Sequence, residues 1–262
     1  MHGLDALAIF AAGIAAGAIN AVVGSGTLIT FPTLIALGYP PVTANVSNNI
    51  GLVPGTVAGA WGYRRELAGQ RRRIRLLAPM STVGSIAGAL LLLALPARAF
   101  EAVVPVLIGL AVILVVIQPA LSRRVAHADH DEQGDEMRRI GLLPTAGVLA
   151  VGVLLAGVYG GYFGAAQGVL LIGLLGAVLG DTLQRVNALK NVLSSVVNGV
   201  AAVTFVVAAP DQVNWAVAGL IAVGSSVGGL TGAWVGRRLP APALRGVIVA
   251  VGALAIYRLV TS

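Results

Sequence analysis

The segment INAVVGSGTLITFP (residues 19–32) lies inside a long apolar stretch but carries the sequence Gly24-Ser25-Gly26 at its centre. Glycine destabilises a helix interior by roughly 1 kcal/mol relative to alanine. Within a membrane, irregular backbone is tolerated where it is buried in protein or lines a wet cavity. The segment therefore predicts a membrane helix that breaks near Gly24 and is followed by a short helix over 27–37.

The composition predicts a membrane protein. Of 262 residues, 57% are hydrophobic and only 10% are charged, whereas a soluble domain has about 25% charged residues. Apolar stretches of about 18 residues or more predict transmembrane helices. Clear ones lie at 5–23, 76–95, 99–121, 141–163, 215–235 and 243–260, more polar ones at 43–63 and 186–208, and short ones at 27–37 and 168–179. We predict an all-α polytopic protein, since these segments lack the alternation of β-barrel strands.

The chain contains a second, degenerate copy of its first half. LGYPPVTANVSNNIGLVPGTVAGA (37–60) aligns with LGDTLQRVNALKNVLSSVVNGVAA (179–202), and the same register pairs Gly26 with Gly168. Duplicated halves are common in secondary transporters, whose substrate site lies between the halves near the membrane midplane. We predict two homologous membrane repeats, each with about four full transmembrane helices and one short or broken helix. Their boundaries are 1–121 and 141–262, with a charged cytoplasmic linker at 122–140.

The basic residues favour inverted repeats. The loop after 43–63, RRELAGQRRRIR, is strongly basic, whereas the corresponding loop of the second half, APDQVN, has no basic residue. The second half has Arg237-Arg238 one loop later. Because basic loops favour the cytoplasm, the two halves are expected to insert in opposite orientations. If the short segments re-enter the membrane instead of crossing it, the halves are parallel.

The residues around the two breaks form the first part of a candidate substrate site. A helix N-terminus presents N–H groups and the positive end of the helix dipole, which attract anions. The second half repeats the arrangement in YGGYFGAAQGVLL (159–171). We expect substrate contacts at Asn20, Gly24, Ser25, Gly26, Gly164, Gln167 and Gly168. The alternative role of such glycines is close helix packing, which suits Gly84, Gly88, Gly224 and Gly228 better.

Polar stripes after the breaks supply the remaining candidates. Asn45 and Asn49 share a helix face with Thr56, and Asn187 and Asn191 share one with Asn198. Lys190, the chain's only lysine, lies between Asn187 and Asn191. An ionisable residue in a membrane segment indicates a functional site by default. The alternatives are interhelical hydrogen bonding for the asparagines and a lysine that reaches to the membrane interface.

These breaks, with ALGYPPVTANVSNNI (36–50) and its echo in the second half, resemble the TauE/SafE family of sulfite exporters and toluene-sulfonate uptake permeases. The resemblance covers nearly the whole chain. It implies a multi-pass transporter of the bacterial inner membrane that moves sulfite, sulfoacetate or another organosulfonate. The chain departs from the family at Thr27-Leu28, where further glycines are common, so the substrate identity does not carry over.

We therefore predict a secondary transporter of a small sulfur-containing anion. The alternatives are an anion channel and a carrier of an unrelated organic anion. Cysteine is absent and the three histidines lie outside the apolar segments, so neither an enzyme nor a metal site or other cofactor is expected. The expected partners are the anion, membrane lipid and a coupling proton or ion, with no nucleic acid; no oligomeric state follows from the sequence.

Overall fold

The computed structural model describes residues 3–128 and 143–235, and within these ranges the chain forms nine α-helices and no strand. The helices are α1 (Gly3–Val22), α2 (Thr27–Ala36), α3 (Pro41–Gly62), α4 (Arg71–Ala94), α5 (Ala97–Ala128), α6 (Leu143–Tyr162), α7 (Gln167–Leu179), α8 (Leu183–Ala208) and α9 (Trp215–Val235). A 3₁₀ turn, Pro210–Gln212, lies between α8 and α9.

The helices agree with the predicted segments, and the all-α prediction is confirmed for the described residues. Among these residues, five helices are long and apolar enough to cross a membrane, namely α1, α4, α5, α8 and α9. α4 begins five residues before the predicted segment 76–95, and α5 continues into the predicted linker as far as Ala128. The predicted segment 243–260 and most of the linker lie outside the described residues.

Two glycines end the helices that precede the breaks. Gly24 after α1 has φ +85°, and Gly164 after α6 has φ +77°. In both places the glycine amide donates back into the helix that has just ended, Gly24 to the carbonyl of Ile19 and Gly164 to that of Tyr159. Glycine adopts this left-handed conformation without the steric cost of a side chain, so the predicted breaks occur where glycine permits them.

The four glycines assigned to packing hold pairs of helices in contact. A Cβ atom added at Gly88 on α4 would lie 2.0 Å from the carbonyl oxygen of Val158 on α6. A Cβ atom added at Gly228 on α9 would lie 1.9 Å from the carbonyl oxygen of Ile14 on α1. Gly84 and Gly224 meet backbone on the same two partner helices. Small residues allow such close backbone approach, so the packing interpretation of these glycines is confirmed.

Contacts made in sequence order show that α1, α3 and α9 run in the same direction. Ile14 lies against Gly228 and Ala18 against Gly232, so residue numbers rise together along α1 and α9. The pairs Gly51–Ile221, Gly55–Ser225 and Gly62–Ala233 give the same result for α3 and α9. Because α1 and α3 are parallel, the short helix α2 carries the chain back between them.

The helices α4, α6 and α8 run in the opposite direction. Gly84 approaches Leu154 and Gly88 approaches Val158, so α4 and α6 are parallel. The Gln70 amide donates to the Arg185 carbonyl at 3.0 Å, and the Ser85 hydroxyl donates to the Val197 carbonyl at 2.7 Å, so α4 and α8 are parallel. α3 and α8 are antiparallel. Gly59 near the end of α3 faces Asn191 near the start of α8, whereas the Thr43 hydroxyl at the start of α3 donates to the Gln212 side chain just after α8.

Replacing Gly228 with alanine is expected to destabilise the protein, because the new methyl group would force α9 away from α1. Overpacking of a buried contact costs roughly 1–3 kcal/mol. Thermal unfolding of the purified protein in detergent measures the effect, and we expect a clearly lower midpoint. Gly219→Ala is the matched control on the same helix, since its Cβ would have no neighbour within 4 Å. Equal midpoints for the two variants would contradict the packing role of Gly228.

Candidate functional site

A small polar cavity lies between the two breaks. Its volume is about 10 Å³, which is room for about one water molecule. It is lined by Asn20, Gly24, Thr27, Thr56, Gly164, Gln167, Gly168, Ser194 and Asn198. An oxyanion of four or more heavy atoms is larger than one water molecule, so binding such an anion here requires the walls to move.

The lining comes in pairs from corresponding places in the two predicted repeats. Thr27 is the first residue of α2 and Gln167 the first residue of α7, and both line the cavity. Gly24 and Gly164 form a second pair at the ends of α1 and α6. The N-termini of both short helices therefore face one cavity.

This geometry corrects the alignment at the break. The expected register paired Gly26 with Gly168, but the structure pairs Gly24 with Gly164 and Thr27 with Gln167, two residues away from it. The register of 37–60 against 179–202 agrees better with the helix starts, Pro41 for α3 and Leu183 for α8. The change of two residues reflects the length of α7, which exceeds that of α2.

The two breaks are in direct backbone contact. The Gly168 amide donates to the Gly24 carbonyl at 3.0 Å. A Cβ atom added at Gly24 would lie 2.4 Å from Cα of Gly168, and one added at Gly168 would lie 2.4 Å from Cα of Gly24. Only glycine fits at both positions, so these residues set the distance between the starts of α2 and α7.

Asn20 binds the backbone at the start of α2. Its side-chain oxygen accepts a hydrogen bond from the Gly26 amide at 2.6 Å. This amide was expected to be free for an anion, and the structure shows that it is occupied. Gly26 itself packs against α1, since an added Cβ would lie 2.4 Å from the Ala16 carbonyl oxygen. Gly26 and Ser25 do not line the cavity.

The asparagines of the stripes bind the ends of the broken helices. Asn187 and Asn191 on α8 both donate to the Ala21 carbonyl near the end of α1, at 3.0 and 3.1 Å. Asn45 on α3 donates to the Tyr162 carbonyl at the end of α6, at 2.9 Å. Helix ends leave carbonyls without intrahelical donors, and the amides on α8 and α3 satisfy those at the ends of α1 and α6.

Lys190 is fully buried, with 0% of its surface exposed, and it lies behind the cavity wall. Its Nζ donates to the Asn20 carbonyl at 2.8 Å, and an added Cβ at Gly168 would lie 2.9 Å from its Cδ. Both Asn20 and Gly168 line the cavity. The alternative, a lysine that reaches to the membrane interface, does not agree with this position, since the side chain points into the protein.

Several site residues have a buried polar atom that makes no hydrogen bond among the described residues. These atoms are Ser25 Oγ, Asn45 Oδ1, Asn49 Oδ1, Gln167 Nε2 and Asn187 Oδ1. A buried polar group without a partner costs about 1–3 kcal/mol. Gln167 lines the cavity, is 3% exposed, and has its N–H₂ group unpaired, so the cavity wall holds an unused hydrogen-bond donor.

A charged cluster joins the start of α4 to the start of α8. Asp181 accepts from Arg73 at 2.6 Å and from Arg185 at 2.9 Å. Arg185 also donates to the Ala68 carbonyl at 3.0 Å. Burial raises the pKa of Asp181, but the hydrogen bonds from the two arginines outweigh it and hold the pKa below its ordinary value. The carboxylate therefore stays charged at neutral pH and joins the start of α4 to the start of α8.

The sequence placed five of the nine lining residues in its candidate site and missed four. The missed residues are Thr27, Thr56, Ser194 and Asn198. Thr56, Ser194 and Asn198 lie on the polar stripes, one to three turns beyond the chosen asparagines, and this continuation was the available signal. The other candidates, Ser25, Gly26, Asn45, Asn49, Asn187, Lys190 and Asn191, lie outside the lining.

Almost the whole chain is similar in sequence to known proteins. The profile of the sulfite exporter TauE/SafE family matches residues 9–259. The chain belongs to this family. It is therefore a multi-pass membrane transporter, as the resemblance in its sequence implied.

Individual TauE/SafE relatives are distant but cover most of the chain. A probable membrane transporter protein of Haemophilus influenzae is 28% identical over 88% of this chain and 85% of its own length. The probable membrane transporter protein YfcA of Escherichia coli K12 is 26% identical over 86% of this chain and 78% of its own length. No solved structure matches the chain significantly.

Proposed function

We propose that the chain is a secondary transporter that moves a small sulfur-containing anion across the bacterial inner membrane, through the cavity between the two breaks. The observation that carries this proposal is that the first residues of α2 and α7 line the same buried cavity. Two helix N-termini facing one point give a positive potential without a charged residue. The Gly26 and Gly168 amides already have hydrogen-bond partners. The helix dipoles and the side chains of the lining therefore supply the attraction for an anion.

The side chains of the cavity suit an oxyanion. The lining holds hydroxyl groups from Thr27, Thr56 and Ser194 and amide groups from Gln167 and Asn198, and no carboxylate from the described residues. Hydroxyl and amide groups can donate hydrogen bonds to several oxygens at once. A divalent cation would instead favour a set of oxygen ligands that includes carboxylates.

The proposed transporter consists of inverted halves. Support for this arrangement comes from the helix directions. The helices that correspond in the proposed repeats are α1 with α6, α3 with α8 and α4 with α9, and the two members of each pair run in opposite directions. The packing is also exchanged, since α1 packs on α9 and α6 packs on α4. Inverted repeats allow one half to rock against the other around a central site.

The size of the cavity favours a carrier over a channel. Among the described residues the cavity has room for about one water molecule. A channel needs a continuous path, whereas a carrier exposes its site to one side of the membrane at a time.

We expect Cys introduced at Ala68 and Cys introduced at Asp211 to face opposite sides of the membrane, with Ala68 in the cytoplasm. Both positions are exposed, and the chain has no native cysteine. Ala68 follows α3 and Asp211 follows α8, and these helices are antiparallel. A membrane-impermeant maleimide applied to intact cells should label only the Asp211 variant. Labelling of both variants from the same side would show that the halves are parallel.

Transport itself is tested by counterflow in proteoliposomes loaded with unlabelled sulfite, sulfoacetate or thiosulfate. A carrier should accumulate the labelled anion transiently against its gradient, because internal substrate returns the site to the outside. An anion channel would equilibrate the label without such an overshoot. Absence of both accumulation and equilibration for every sulfur-containing anion would contradict the proposed substrate class, and uptake of an unrelated organic anion would favour the alternative.

A further inference from the structure

We propose that Lys190 carries a proton that is transported together with the anion, so that each anion moves with one proton in the same direction. This inference rests on the proposed function and adds the coupling ion. It starts from the position of Lys190, which is buried behind the cavity and makes one hydrogen bond, to the backbone carbonyl of Asn20.

Lys190 has no acidic partner among the described residues. The nearest carboxylate along the chain, Asp181, lies just before α8 and forms ion pairs with Arg73 and Arg185. The helices packed against α8 place their other ionisable side chains elsewhere. α3 and α7 have none. α1 has Asp5 in its first turn, and the four arginines of α4 lie within residues 71–75. α5 has Arg98 and Glu101 near its start, and Arg123, Arg124 and His127 near its end. α6 has Tyr159 and Tyr162, and the 3₁₀ turn after α8 has Asp211. Tyr159 donates to the Ala165 carbonyl, and Tyr162 packs against Phe100.

An unpaired ammonium in such a place is costly. Removing a charge from water without a partner costs several kcal/mol, and buried groups avoid this cost by changing their protonation state. An anion in the adjacent cavity would supply the missing negative charge, since Asn20 and Gly168 separate the cavity from Lys190. The charged lysine and the bound anion therefore stabilise each other.

The two proposed halves carry different side chains at the position of Lys190, and only one of these side chains can carry a proton. Asn48 holds the place in α3 that Lys190 holds in α8. The Asn48 amide donates to the Thr27 hydroxyl at 3.3 Å, and its oxygen accepts from the Thr30 hydroxyl. The first half thus fills the position with a neutral, hydrogen-bonded side chain, and the second half places a proton carrier there.

The proposed cycle is balanced in charge and protons. On the loading side, the neutral Lys190 amine takes a proton from water as the anion enters the cavity. On the release side, the anion leaves and the ammonium returns its proton to water. A monovalent anion then crosses without net charge movement, and the empty site returns with a neutral lysine.

The test measures proton and anion movement in the same proteoliposomes, with a trapped pH-sensitive dye and labelled sulfite or sulfoacetate. For the wild type, we expect anion addition to acidify the lumen, and an inwardly directed proton gradient to drive anion accumulation. Lys190→Arg cannot release its proton under these conditions, because a guanidinium stays charged in proteins. We expect this variant to bind the anion, seen as a shift of its thermal unfolding midpoint, but to move no proton.

The outcomes separate this inference from the function beneath it. Wild-type counterflow without acidification would overturn the proton role of Lys190 and leave the carrier intact. Acidification by Lys190→Arg equal to that of the wild type would also overturn it. If the wild type shows neither binding nor counterflow, the proposed function fails first. Should Lys190→Arg not fold, the wild-type proton measurement decides alone.

Discussion

Alanine at Gly24 is expected to reduce transport about a hundredfold or to background. The added Cβ would lie 2.4 Å from Cα of Gly168, whereas ordinary contacts begin at 3.4 Å. The starts of α2 and α7 would have to separate by about 1 Å, and displacements of this size in positioned groups can cost about 100-fold. Initial rates of labelled anion uptake measure the effect.

Gly38→Ala is the control for this variant. Gly38 has φ +84°, almost the same as the +85° of Gly24, but a Cβ there would have no neighbour within 4 Å. Alanine in the left-handed region therefore destabilises both variants by about 1–2 kcal/mol. Only Gly24→Ala also disturbs the contact between the breaks. If the two variants lose transport equally, backbone strain explains the result and the contact is unimportant.

Lys190→Gln is expected to weaken anion binding by about tenfold or more. Glutamine keeps a donor for the Asn20 carbonyl but removes the positive charge beside the cavity. In the protein interior, electrostatic interactions are less screened than in water, and hydrogen bonds to charged groups contribute about 1.5–3 kcal/mol. Titration of the purified protein with sulfite or sulfoacetate measures the dissociation constant.

A structural role for Lys190 would give a different result. Since its ammonium also binds the end of α1, the variant's unfolding midpoint without ligand must be measured beside its affinity. We expect the affinity to fall by more than the stability change alone explains. An unchanged dissociation constant would show that the helix N-termini and the neutral donors hold the anion without Lys190.

The sequence predicted the helices and the breaks because both depend on local properties. Long apolar stretches need helices in a membrane, and glycines at 24 and 164 permit the left-handed conformation that ends α1 and α6. The same pattern predicted that a short helix follows each break. These features need no knowledge of which helices touch.

The roles of the asparagines depend on tertiary contacts and could not be read from their spacing. Asn45, Asn187 and Asn191 share helix faces as predicted, but their amides bind carbonyls of helices more than 100 residues away. The spacing indicated a polar helix face but did not identify the groups to which that face forms hydrogen bonds. Thr27 stands in the sequence where relatives commonly have glycine, and only the structure shows that this first residue of α2 lines the cavity.

Ligand binding to the purified protein tests the central claim most directly. Thermal unfolding should be followed with sulfite, thiosulfate, sulfoacetate, taurine and sulfate at millimolar concentration, for the wild type and for Gln167→Leu. A ligand present at 100 times its dissociation constant stabilises the folded state by about 2.7 kcal/mol. We predict that at least one sulfur-containing anion raises the wild-type midpoint, and that Gln167→Leu, which removes the unpaired donor of the cavity wall, reduces this shift. An equal shift in both proteins, or no shift with any of these anions, would contradict an anion site between the two breaks.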